Sequence, residues 1–160
     1  MQNKLINFYL SCFFIGFIPV APGTFGSLVG VFFMHLLRQK IFFQEDFFKI
    51  IILIFLTISL SFFSILLIKF SLKNKNYDQG WIVIDEFIVI IISLSFLFLI
   101  ENNYFLWVLF SFLLFRFFDI LKPLGIKKID NLNTPFAVIL DDVIAGFYAL
   151  GCSLLLYLII

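Results

Sequence analysis

The chain has 160 residues, of which 63% are hydrophobic, 21% aromatic and only 13% charged, and its mean hydropathy is +1.16. Soluble domains carry about a quarter charged residues, so this composition excludes a water-soluble protein and describes an integral membrane one, a single domain over residues 1–160. A formal charge of +1 without a Lys/Arg-rich segment gives no nucleic-acid role, and Cys12 and Cys152, far apart in apolar sequence, form neither a disulfide framework nor a Cys-x-x-Cys pair.

In chain order, the first candidate element covers residues 5–18, a length that suits an interfacial or re-entrant segment as well as a span. With Lys4 ahead of it the stretch imitates a signal peptide, but no small-x-small cleavage pattern follows, and Pro19 and Pro22 bracket a turn. Residues 23–37 come next, where Gly23, Gly26, Ser27 and Gly30 give a small-residue face that admits close helix contact. Residues 47–68 make the clearest span, followed by 82–100, 104–118 and 143–160. The expected fold is an all-α polytopic membrane bundle of about four full spans plus short or re-entrant N-terminal helices.

Lys and Arg counts in short loops set the sidedness. Residues 69–80 hold Lys69, Lys73 and Lys75, and residues 116–134 hold Arg116, Lys122, Lys127 and Lys128, while residues 101–103 hold none. Both basic loops are therefore expected on the cytoplasmic side. Threading outward from them puts the 22–27 turn, Asp85, Glu86, Asp119, Lys122, Asp141 and Asp142 on that one face. The 38–49 loop, with Arg38, Lys40 and Lys49 against Glu45 and Asp46, runs against the charge rule.

Those five acids are half of the ten in the chain, and each sits against membrane-grade apolar sequence. An uncompensated carboxylate at bilayer depth costs at least roughly 2.5–3.5 kcal/mol, so they need partners, a cation or a task. His35 is the sole histidine, neither cysteine begins a Cys-x5-Arg phosphate loop, and no His-Glu-x-x-His, Walker or Gly-x-Gly-x-x-Gly motif occurs. Clustered carboxylates repel one another, and a hard divalent ion such as Mg²⁺ resolves that repulsion through oxygen ligands, whereas zinc and copper lack His and Cys here. On a helix Asp141 and Asp142 point about 100° apart, so one can bind metal while the other orients a water. The face of Asp142 continues through Gly146, Ala149 and Ser153. Arg116, Asp119 and Lys122 recur every third residue up to Pro123, a plausible phosphate clamp, and the 22–27 turn opens a helix whose free N–H groups favour an anion.

Plainer readings stand beside these. Arg116 and Asp119 make an i,i+3 ion pair, the glycine stripe serves helix packing, Asp85-Glu86 snorkel at the interface, and Lys127, Lys128 and Asp130 belong to a solvated loop. For Asp141-Asp142, between Leu140 and Val143, the plain reading is weakest. The alternative function is a small cation transporter or channel using the same acids, which calls for acids spread through the membrane depth.

Four ordered blocks resemble the phosphatidylglycerophosphatase A family of bacterial membrane lipid phosphatases: Ala21-Pro22-Gly23-Thr24-Phe25-Gly26-Ser27-Leu28, Ile84-Asp85-Glu86-Phe87, Phe115-Arg116-Phe117-Phe118-Asp119-Ile120-Leu121-Lys122-Pro123, and Leu140-Asp141-Asp142-Val143-Ile144-Ala145-Gly146. Val89 stands where the family usually has Gly, and Gly125 where it usually has a second Pro. The resemblance implies Mg²⁺-dependent hydrolysis of phosphatidylglycerophosphate, drawn from the bilayer among membrane lipids, to phosphatidylglycerol and phosphate. It implies a multi-pass protein of the bacterial inner membrane with its site facing the cytoplasm. Asp85, Glu86, Asp141 and Asp142 are then expected to hold the metal, with Asp119, Lys122 and Asp142 catalytic. Gly23, Thr24, Gly26, Ser27, Arg116 and Lys122 are expected to bind substrate.

Overall fold

The computed structural model describes residues 4–40, 46–72, 76–77, 79–100 and 102–159, and every regular element among them is helical. Lys73, Lys75, Glu45 and Glu101, which entered the loop-charge reading, lie outside the described residues. The helices are α1 (Lys4–Leu10), α2 (Pro22–Lys40), α3 (Asp46–Ser71), α4 (Ile84–Ser93), α5 (Tyr104–Leu121), α6 (Ile126–Asp130) and α7 (Ala137–Ile159).

Among the described residues three helices, not about four, are long and apolar enough to cross a membrane: Phe48–Ser71 within α3, α5 and α7. Three hydroxyls of α3 are satisfied within the helix, as lipid favours: Thr57, Ser59 and Ser64 donate to the carbonyls of Leu53, Phe55 and Leu60, each at 2.8 Å. The expected span over 82–100 is instead the ten-residue α4 followed by a 3₁₀ turn, Ser95–Leu99. Its hydrophobicity has another cause. Ile88, Val89, Ile90 and Ile91 are fully buried, so beyond its first turn α4 is apolar all round because α2, α3, α5 and α7 enclose it. Arg38 of α2 closes the far end, donating to Leu97 O at 2.7 Å and Ile100 O at 2.6 Å.

Close approach to α4 needs small residues on its neighbours. A Cβ at Gly30 of α2 would strike Ile90 and the Phe87 carbonyl, and one at Gly146 of α7 would strike Val89. Val89 therefore keeps its bulk because the small residue sits on the facing helix. α5 and α7 also share a buried hydrogen bond between Ser111 Oγ and Ser153 Oγ at 3.1 Å. Between α3, α4 and α7 lies an apolar crevice of about 430 Å³, walled by Leu53, Ile91, Val143 and Leu150 among others.

At the N-terminus, α1 is about 10 Å long, far short of a span. The chain then reverses through Cys12, Phe13 and Phe14, all left-handed (φ 46°, 61° and 68°), into a 3₁₀ turn at Ile15–Phe17. Leu10 O accepts the Val83 N–H at 3.0 Å, tying α1 to the start of α4.

Candidate active site

One end of the bundle gathers the N-termini of α2, α4 and α7 and the C-terminus of α5 around a pocket of about 270 Å³. Thr134 fixes the start of α7, its Oγ1 accepting the Ala137 N–H at 3.1 Å. Five residues into α7 stand Asp141 and Asp142, 4% and 5% exposed. Across from them Asp85, 7% exposed, lies in the first turn of α4, its Oδ1 accepting the Glu86 N–H at 3.1 Å.

Carboxylate oxygens of Asp85, Glu86 and Asp142 lie within 4.8 Å of one another. Burial, and then the neighbouring Glu86, pushes the Asp85 carboxyl well above the usual carboxylate range, and burial likewise raises Glu86. Among the described residues Glu86 Oε2 and Asp141 Oδ1 are buried without a hydrogen-bond partner. Converging hard oxygens and orphaned buried acceptors are what a divalent cation would satisfy, so the donor set fits a metal ion.

The cations flank this group. Arg116 Nη1 pairs with Asp119 Oδ2 at 2.6 Å, and Asp119 lies within hydrogen-bonding reach of Asp142. Lys122 does not turn to Asp119. Its Nζ pairs with Asp141 Oδ2 at 2.6 Å and with Asp130 Oδ1. Burial pulls the Lys122 ammonium down, but the hydrogen bonds it donates to Asp130 and Asp141 outweigh it and raise the group above the ordinary lysine value. As the sequence expects from Pro123, α5 ends at Leu121, leaving Lys122 as the C-cap in the left-handed region (φ 45°).

The expected substrate residues divide. Gly23 lines the pocket, and a Cβ there would collide with Glu86 Oε1 and come within 3.5 Å of Arg116 Nη1. Thr24, Gly26 and Ser27 are not among its walls. Ser27 Oγ is spent within α2 on Gly23 O at 2.9 Å, and a Cβ at Gly26 would meet Val83 at 3.0 Å, so Gly26 serves the close approach of α2 to the start of α4. Asp141 stays beside the three-carboxylate group with one oxygen on Lys122. Sequence reasoning missed Asp130: the presumed solvated loop folds as α6 and returns its last residue to the pocket. The available signal was that residues 123–136 join two acid-bearing helices and must pass over the site between them.

A family model described as Phosphatidylglycerophosphatase A matches residues 8–157. Over 139 residues the chain is 39% identical to a Haemophilus influenzae protein named Phosphatidylglycerophosphatase A, covering 84% of this chain and 77% of that one. A Bacteroides thetaiotaomicron protein named "Putative phosphatidylinositol-3-phosphatase" is 32% identical over 136 residues, covering 84% of this chain and 82% of its own. An Escherichia coli protein, also named Phosphatidylglycerophosphatase A, is 31% identical over 138 residues, covering 85% and 74%. No solved structure matches the chain.

Proposed function

The chain belongs to the phosphatidylglycerophosphatase A family, and from that premise we propose that it removes the terminal phosphate of phosphatidylglycerophosphate, giving phosphatidylglycerol and inorganic phosphate. The observation that carries this reading is the convergence of the α4 and α7 carboxylates with Lys122 and Arg116 on one pocket at one end of the membrane helices. A phosphomonoester at the headgroup level of a lipid reaches that end without crossing the bilayer core. The Lys and Arg of the adjoining short loops support a cytoplasmic position for that end, and the bacterial relatives support the inner membrane. Acids gathered at one end also favour a surface reaction over a cation path through the bundle.

Asp85, Glu86 and Asp142, with Asp141 beside them, would hold Mg²⁺, which when bound neutralises phosphate charge and lowers the pKa of water. The chain's own groups do the rest. Lys122 and Arg116 bind non-bridging phosphate oxygens and stabilise the charge that develops on them. Arg116 fixes Asp119 at 2.6 Å, leaving that carboxylate aimed beside Asp142, where either can take a proton from an attacking water or attack phosphorus itself. Labelled phosphate trapped on protein selects the second route. Gly23 supplies close backbone at the α2 N-terminus, whose dipole favours the anion.

The reading is tested by phosphate release from phosphatidylglycerophosphate and from a phosphatidylinositol phosphate in detergent, with Mg²⁺ and with chelator. Release from the glycerol lipid that chelator stops and Mg²⁺ restores is the expected result. Preferential release from the inositol lipid overturns the headgroup assignment, and no release from either overturns the activity.

A further inference from the structure

Lys122 is held from two sides, and only one of its partners borders the carboxylate group. Asp141, on α7, borders Asp85, Glu86 and Asp142, whereas Asp130 comes from the last residue of α6, its side chain 27% exposed. The turn that brings Asp130 back is unusual for its sequence: Lys122, Leu124 and Gly125 are all left-handed (φ 45°, 53° and 91°), and only the last is a glycine. Backbone hydrogen bonds from Ile126 N to Pro123 O (3.1 Å) and from Lys127 N to Lys122 O (3.3 Å) close it. Ile126, 1% exposed, anchors it in the core. The anchor of α6 is thus apolar, and the Asp130 carboxylate is not needed to hold the turn in place.

Resting on the phosphatase reading above, we propose that Asp130 is a positioning residue for Lys122. It keeps the ammonium on the outer side of the pocket, off the carboxylates of Asp85, Glu86 and Asp142, and yields it to the oxygens of a dianionic phosphomonoester as that group enters. Without Asp130 the ammonium is left with Asp141 alone and is drawn inward among the acids, where it neutralises oxygens meant for a cation and no longer faces the phosphate. Nothing covalent changes in this exchange; one ion-pair partner replaces another.

The test uses the full chain in detergent with Mg²⁺. Asp130→Asn is expected to lower kcat/KM about 10- to 100-fold, the range for residues that orient a directly contacting group, and Asp130→Glu to recover to within about threefold of wild type. A double-mutant cycle with Lys122→Gln then separates positioning from support, read as the Kd of a non-hydrolysable phosphonate analogue of the lipid so that no turnover is needed. Asp130→Asn is expected to weaken that binding in the wild-type background and to change it less than twofold in the Lys122→Gln background. Equal losses in both backgrounds, an unchanged kcat/KM in Asp130→Asn, or failure of Asp130→Asn to fold each overturn the inference. A wild-type chain that releases no phosphate overturns the phosphatase reading instead, while the binding cycle still reports on the coupling.

Discussion

Replacing Asp142 by Asn should make the metal-free protein no less stable while abolishing its response to metal. With oxygens of Asp85, Glu86 and Asp142 within 4.8 Å of one another, each ionised pair repels by about 3.5 kcal/mol at an effective dielectric of about 20. Removing Asp142 deletes two of the three pairs, so with all three acids ionised the relief is about 7 kcal/mol, and it is smaller where any of them carries a proton. The amide is isosteric and leaves packing alone. Wild type should instead gain from the ion: at about a hundred times its Kd, Mg²⁺ binding contributes about 2.7 kcal/mol, or a rise in Tm of roughly 5–10 °C for a chain of this size. The assay is thermal unfolding in detergent followed by a thiol-reactive dye, since Cys12 is 2% exposed in the folded chain. Asp142→Asn should melt at or above the wild-type temperature in chelator, show no Mg²⁺-dependent rise, and lose phosphate release at least a thousandfold. A variant that melts several degrees lower in chelator yet still rises with Mg²⁺ refutes the shared-ion argument.

Gly23→Ala puts a methyl group against Glu86 Oε1, so turnover should fall at least tenfold with little change in Tm, and Glu86→Asp in the same chain should recover part of it. Gly146→Ala meets Val89 and should cost about 1–3 kcal/mol by overpacking; Val89→Ala, harmful alone, should restore much of that in the double variant, as paired melts would show. The raised Asp85 carboxyl fixes a pH dependence. In chelator the folded chain keeps that proton above the unfolded group's ordinary value of 3.8, so unfolding free energy should fall as pH climbs from about 4. Adding Mg²⁺ should flatten the fall, and stability that rises with pH in chelator over that range would contradict the assignment.

What the sequence made legible was whatever burial makes expensive. Asp141 and Asp142 stood out because a carboxylate between Leu140 and Val143 has no cheap structural explanation, and Arg116 and Asp119 because spacing alone puts them on one helix face. α3 and α5 were readable within a few residues from length and hydropathy. α4 was not, because a helix enclosed by four others and a helix enclosed by lipid have the same composition; only the 3₁₀ turn at Ser95–Leu99 separates them, and no Pro or Gly announces it. The reversal at Cys12–Phe14 likewise uses left-handed residues without a glycine. Asp130 was hidden for a different reason. A charge near other charges in a loop reads as solvated until the fold returns it to Lys122. The small residues of the 22–27 turn carried two compatible readings, and contact with Glu86 or with Val83 is what divides Gly23 from Gly26.

The most direct measurement is electron–nuclear double resonance at phosphorus on Mn²⁺-loaded protein with the lipid phosphonate bound. The account predicts one Mn²⁺ per chain, a ³¹P coupling of the size that a directly ligated phosphonate oxygen gives, and loss of both in Asp142→Asn. Mn²⁺ that binds without any phosphorus coupling, or that binds equally well after Asp142 is replaced, would contradict it.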